Sequence, residues 1–238
     1  MERSRTGYSL SRAWVDGLSR ELSNYTADKD ARKTSFSTAK HGLSATFHAI
    51  ALLNSLLMAG ELKLSREEIS LHGHRVAMLP LVMYQVWIDE LGKHGSNFVY
   101  NSSKSFGVSW YRRLQSHGYL AGSIDEGVRL GLDAISVAGW GRFEVESLAA
   151  STKCITMTLN HSSAAAEYRE ARGVSKKPID DFMRGCLAGG WRVMMNDPTI
   201  ECVETQCIAC GAPKCVFDVR PRKDFDQKDP RVRSQLKK

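Results

Sequence analysis

With 238 residues, 42% of them hydrophobic and 25% charged, the chain has the make-up of one globular domain or one domain plus an extension, and wholesale disorder is excluded. Six prolines and nineteen glycines exclude a fibrous or low-complexity polymer. The formal net charge of +7 gathers at the ends: residues 1–66 hold 10 basic and 6 acidic groups, residues 218–238 hold 8 and 4, and residues 67–217 hold 15 and 16. The longest apolar stretch, Leu43 to Gly60, contains His48, Asn54 and Ser55, too polar and too short for a membrane span of about 20 apolar residues. The first residues lack an apolar signal segment, so a cytoplasmic protein with no membrane span is expected. The basic ends, including Arg220-Pro221-Arg222-Lys223 and residues 231–238, are candidates for contact with nucleic acid or an anionic surface, and a solvated tail is the plainer reading.

In chain order, Leu10, Trp14, Leu18 and Leu22 suggest a short amphipathic piece. His41 to Met58 reads as a helix with Phe47, Ile50, Leu53 and Leu57 on one face, widened by Leu52 and Leu56. A helix this apolar belongs in a core or a homodimer seam. Residues 68–79 read as a hairpin, and Pro80 opens a helix to Leu91 with Tyr84, Trp87, Ile88 and Leu91 inward. A helix over 97–115 uses Phe98, Phe106, Trp110 and Leu114, interrupted by the small residues Ser102, Ser105 and Gly107. Ser123-Ile-Asp-Glu126 is a capping box for a helix to Val137. The period then changes to two, with strands at 142–146 and 153–159. Helices at 162–171 and 178–195 and strands at 200–207 and 214–219 follow. This grouping predicts an α+β fold with antiparallel strands and packed helices.

Four of the six cysteines, Cys202, Cys207, Cys210 and Cys215, fall within fourteen residues. In a cytosolic chain such clustering favours metal or redox use over disulfides. Cys207, Cys210 and Cys215 around the Gly211-Ala-Pro213 turn, with Glu204 three residues earlier, form a candidate zinc set. An iron–sulfur site, from the plant-type spacing of Cys202, Cys207 and Cys210, and a metal-free cluster are the alternatives.

Glu204-x2-Cys207-x3-Gly211-x3-Cys215, followed by Val216-Phe-Asp-Val219, resembles the C-terminal signature of the 4-vinyl reductase domain family. That module is a hydrocarbon-binding fold related to the sensory domain of phenol- and xylene-responsive activators and to the TRAPP subunits of vesicle tethering. Gly73-His-Arg-Val76, the helix start at Leu79-Pro80, residues 185–191 and Leu159-Asn-His-Ser162 stand in the expected order. The resemblance covers roughly residues 65–220. It implies a helical N-terminal extension over 1–64, a ligand-binding domain over 65–220 and a basic tail over 221–238. It also implies zinc held by Glu204, Cys207 and Cys215. The fourth, upstream cysteine falls near Asp180, leaving Asp180, Asp181, Cys186 or Cys210 as the remaining ligand. The pocket histidine of the phenol sensors has no counterpart and Leu159 stands where their tryptophan is expected, so phenol is not the expected ligand.

No G-x-S-x-G, P-loop or H-E-x-x-H motif is present, and no catalytic residue is assigned. His48, His72 and His74 read as exposed turn or surface histidines. The expected function is a ligand-sensing regulatory or carrier module that binds a small apolar molecule and contains zinc. An accessory protein or reductase of tetrapyrrole metabolism and a TRAPP-like scaffold are the alternatives. The ligand pocket is expected where Gly185, Gly189 and Gly190 leave room, with Phe106, Met157 and Trp191 as walls.

Overall fold

The computed structural model describes residues 53–54, 56–58, 60, 62–65, 69–71, 74–77 and 81–236. The expected 10–22 piece, His48, His72 and most of the 41–58 helix lie outside the described residues, although 53–54 and 56–58 are helical. The chain divides into two compact units, residues 1–76 and 77–238. The first contains a small antiparallel sheet of β1 (Leu62–Leu64), β2 (Ile69–Leu71) and β3 (His74–Val76). The expected 68–79 hairpin is its β2–β3 pair, with Leu71 opposite His74.

The second unit is built from α1 (Leu81–Glu90), α2 (Gly95–Ser116), α3 (Ile124–Val137), β4 (Arg142–Ala149), β5 (Cys154–Asn160), α4 (Ser163–Arg172), α5 (Asp181–Met194), β6 (Ile200–Gln206), β7 (Cys215–Pro221) and α6 (Pro230–Gln235). The four strands form one antiparallel sheet in the order β4-β5-β7-β6. The α+β architecture is therefore as its grouping of periods foretold. Ser123 caps α3 reciprocally with Glu126, each side chain bonding the other residue's backbone N–H. Gly173, in the left-handed half of backbone space at φ 79°, stops α4.

Helix α5 lies on β6 and β7, and α2 lies on α5. Their crossing is close because glycine and serine face each other. A methyl group at Gly189 would run into the Lys104 carbonyl oxygen, and one at Gly185 into that of Tyr100. One at Gly107 would stand 2.5 Å from the carbonyl oxygen of Cys186. The missing side chains are thus filled by backbone, which corrects the expectation that these glycines leave a cavity.

The face that α2 turns inward is Val99, Tyr100, Ser103, Gly107, Trp110 and Leu114. Phe98 and Phe106, expected inward, are exposed, as are Trp87 on α1 and Leu91 just after it. Their spacing marks an apolar stripe, but in this unit the smaller residues one position away take the core side. Residues 221–236 also differ from a solvated tail. Phe225, Val232 and Leu236 are buried in the main core, and α6 covers the edge strand β6. There the Gln235 side chain accepts from Glu204 N–H (2.9 Å) and donates to the Glu204 carbonyl (2.8 Å), supplying the pairing that an edge strand lacks.

Candidate functional site

Pro178 does not start α5. The chain stays non-helical through Asp180, which precedes the first helical residue, and the Asp180 side chain is turned away from capping the helix. It points instead toward the β6–β7 connection. On β6 a bulge sets Thr205 and Gln206 against Val216. Strict alternation would send Glu204 and Cys207 to opposite faces of the sheet; the extra residue lets them converge. After Cys207 the chain makes one 3₁₀ turn, Ile208–Cys210, and reverses at Gly211, whose φ of 94° is cheap for glycine. The reversal brings Cys215 at the start of β7 back beside Cys207.

Asp180, Glu204, Cys207 and Cys215 thus meet from three segments, all buried, with one ligand atom from each within 4.8 Å of the others. Their hydrogen bonds interlock. The Cys215 thiol donates to Asp180 Oδ2 (3.2 Å), and Asp180 N–H donates to Glu204 Oε2 (3.1 Å). Ser162, the cap of α4, donates to the Asp180 carboxylate at 3.0 Å. Ile208 N–H donates to Cys215 Sγ (3.3 Å). Glu204 Oε1 is buried with no hydrogen-bond partner among the described residues. A fully buried carboxylate oxygen with nothing to receive is costly, and such an atom signals a missing cation or proton.

The electrostatics agree. Burial, and next the neighbouring Cys207 sulfur, push the Asp180 carboxyl up to about 7. Burial first and Asp180 second hold Glu204 well above the ordinary carboxyl range. Cys207 and Asp180 compete for the one Cys215 proton; hydrogen bonding with Cys215 is the main cause that lowers Cys207 to about 5 against the opposing effect of burial, and it pushes the Cys215 thiol up. Crowded acids in a dry site resist ionising together unless a cation joins them.

The donor set suits a dication. In a tetrahedral zinc site with bonds of about 2.0–2.3 Å, ligand atoms stand about 3.3–3.8 Å apart, so a modest contraction of the present group would close one. Buried Asp, Glu and Cys side chains can therefore hold a metal ion here. Of the residues expected to complete the set, Asp180 is the one the fold brings in. Asp181 is paired with Arg184 Nη1 (2.5 Å), and Cys186 is buried on α5 against Gly107 of α2. Cys210 stands beside the group rather than in it: it is half-buried, with burial first and Cys207 second raising its thiol to about 11. Cys202, needed for the iron–sulfur spacing, is also outside the four, on β6 two residues before Glu204.

The four expected pocket residues are not gathered around one space. Met157 is buried on β5 opposite Phe217, and Trp191 is buried with its indole N–H on the Lys153 carbonyl (2.9 Å). Gly189 faces α2, and Phe106 lies on the outer face of that helix. Phe106 instead belongs to an aromatic ladder: its ring stands 5.7 Å from Trp110 and 6.3 Å from Phe182, which stacks on Trp140 at 4.6 Å. Phe182 follows the metal-side segment 180–181 directly. Sequence spacing missed this ladder because its members come from α2, α5 and the turn after α3.

No protein-family model and no curated protein matches the sequence. Among solved structures, the chain is similar to the phenol-responsive sensory domain of the transcription activator PoxR, solved with phenol. The TM-score is 0.63 and the identity 19%, over 74% of this chain and 91% of that one. It is also similar to a vinyl-4-reductase family protein from Methanocaldococcus jannaschii (TM-score 0.38, 20% identity, 61% and 83% covered). A third neighbour is a trafficking protein particle complex subunit 3 from Naegleria fowleri covalently bound to palmitic acid (TM-score 0.42, 10% identity, 59% and 92% covered). The chain has the fold of the PoxR sensory domain.

Proposed function

We propose that the protein is a ligand-sensing regulatory or carrier module whose sheet and helices are tied together by a structural zinc ion on Asp180, Glu204, Cys207 and Cys215. The observation that carries this reading is the buried four-residue group with its unpartnered Glu204 Oε1. A closed four-ligand site of this kind is structural rather than catalytic, since it leaves no open position for substrate. When bound, the ion supplies a cross-link between β6, β7 and the start of α5. Ser162 and the Ile208 N–H orient the carboxylate and one sulfur around it.

The ligand in this reading is a small aromatic or apolar molecule, as the PoxR sensory domain was solved with phenol. It would stack on the exposed part of the Phe106 ring, beside Phe182 and Trp140. Phe182 sits two residues from Asp180, so ligand stacking and the metal cross-link would act on the same helix start. Self-association through the 41–58 helix belongs to the same proposal. It rests on the apolar face of that helix, Phe47, Ile50, Leu53 and Leu57. Light scattering of a monomer mass at micromolar concentration would remove that part.

Elemental analysis of the purified chain tests the metal, with about one zinc per chain expected. A thermal-shift series of substituted benzenes tests the ligand: some should raise the melting temperature of the parent, and Phe106→Ala should abolish the shift. Metal-free protein with an unchanged melting temperature would end the zinc reading. A series without any shift would end the sensing one.

A further inference from the structure

We infer that a second site, at the opposite end of β6 from the acid–thiol group, binds a small molecule carrying a phosphate-type dianion. Here a cleft of about 570 Å³ is lined by Arg192 of α5, Thr199 and Glu201 at the start of β6, and Arg222, Lys223 and Gln227 beyond β7. The volume lies within the ordinary range of small-molecule sites, roughly 300–1,000 Å³.

Charge decides what it takes. Glu201 is the acid in the lining, and three donors already serve its carboxylate: Tyr100 O–H (2.5 Å), Lys104 Nζ (3.0 Å) and Arg192 Nη2 (3.0 Å). Arg192 in the lining and Lys104 outside it thus share one anion, and Arg222 and Lys223 add two more cations to the lining. Asp224 and Asp226, nearby in sequence, are not in the lining. The excess is positive, in a partly enclosed space where it is less screened than on open surface.

The cations are also held in place. Arg192 Nε donates to the Ile200 carbonyl (2.7 Å), and Arg222 Nη2 donates to the carbonyl of Leu236 (2.5 Å). With Arg192 also on Glu201 through Nη2, both guanidinium groups are fixed while each, with five N–H donors, keeps others for an oxyanion. Ordering two free arginines at the moment of binding would cost affinity; here the fold has ordered them.

A small anion fits better than a nucleic-acid strand. A polymer requires a run of available cations, but two of the nearby arginines are already paired: Arg220 with Asp218 (3.1 Å) and Arg231 with Asp229 (2.8 Å). Of the Arg220-Pro221-Arg222-Lys223 run, only the second half lines the cleft.

The test is calorimetric titration of the full chain with inorganic pyrophosphate. Saturable one-to-one binding is expected, weakened roughly tenfold in Lys223→Glu and in Arg222→Gln. Arg129→Glu, the same charge reversal on exposed α3, should leave it unchanged. Lys223 is exposed, so its variant decides the matter even if Arg222→Gln folds poorly. The inference is overturned if pyrophosphate gives no saturable heat, or if Arg129→Glu weakens binding as much as Lys223→Glu. It is equally overturned if single-stranded DNA binds in a Lys223-dependent way and pyrophosphate does not.

Discussion

Two buried regions a few residues apart on the same helix follow opposite rules. Where α5 crosses α2, side chains are missing and the space is nonetheless full, because carbonyl groups of one helix occupy the positions where the glycines of the other have no Cβ. At the start of α5, side chains are present and a partner is nonetheless missing, because Glu204 Oε1 has no donor among the described residues. Small residues are therefore poor evidence for a cavity, whereas an unsatisfied buried acid is good evidence for a cation.

The sharpest way to break this contrast is at the crossing. Gly189→Ala places a methyl group against a backbone oxygen that cannot swing aside, and should cost about 3 kcal/mol or more, or prevent folding. Normal urea unfolding of that variant would mean that α2 and α5 can separate and that a cavity exists after all.

The metal side should yield the next largest effect. Cys207→Ser removes a sulfur ligand and should lower zinc content together with stability by about 3 kcal/mol, read as paired elemental analysis and melting curves. Cys210→Ser, one 3₁₀ turn away, should keep the metal. Equal loss in both variants would place Cys210 in the coordination shell instead of Asp180.

Acidity sharpens the same point. Asp180 titrates near 7 and Glu204 is also raised, so below that pH the metal-free site holds protons that an incoming ion must displace. Affinity should thus rise with pH, roughly tenfold per pH unit for each proton displaced: that of Cys215, whose thiol is pushed up, throughout the range, and those of the carboxyls in addition at lower pH. Cys207, lowered to about 5, is already ionised across the upper part of this range and adds no dependence there. A competition titration against a chelator indicator measures the slope, and a flat profile from pH 5.5 to 7.5 would deny that these carboxyls are ligands.

The smallest effect lies away from both regions. Ser123→Ala opens the α3 capping box and should cost about 1 kcal/mol in thermal unfolding while leaving zinc content alone. A loss of metal in that variant would show that the two ends of the domain are coupled through α3.

Much of the fold could be read directly because it is written in local chemistry. The Ser123–Glu126 box, the alternation of residues 142–146 and 154–159 and the stop at Gly173 each involve neighbours a few positions apart, and their elements formed where expected. Glu204, Cys207 and Cys215 were legible for the same reason, since they share one strand–turn–strand segment. Asp180 could only be named among four options. Its place depends on the chain staying extended past Pro178 and on the bulge beyond Glu204, two features that hydrophobic period does not encode.

What remained for tertiary structure to decide was which side of each element is covered. The spacing of Phe98, Phe106, Trp87 and Leu91 describes an apolar stripe equally well whether it faces a core or solvent. Contact with α5 through Tyr100, Ser103 and Gly107 settled the orientation of α2. The charges of residues 221–238 likewise hid Phe225, Val232 and Leu236, whose burial requires β6 to be an open edge for α6 to cover. Sequence by itself determined most elements of the second unit, the α3 cap and three of the four candidate ligands, because those rest on interactions within a turn or a hairpin. The fourth ligand, the filled helix crossing and the basic cleft were decided only when distant segments packed, because each depends on what a partner surface brings to the same point in space.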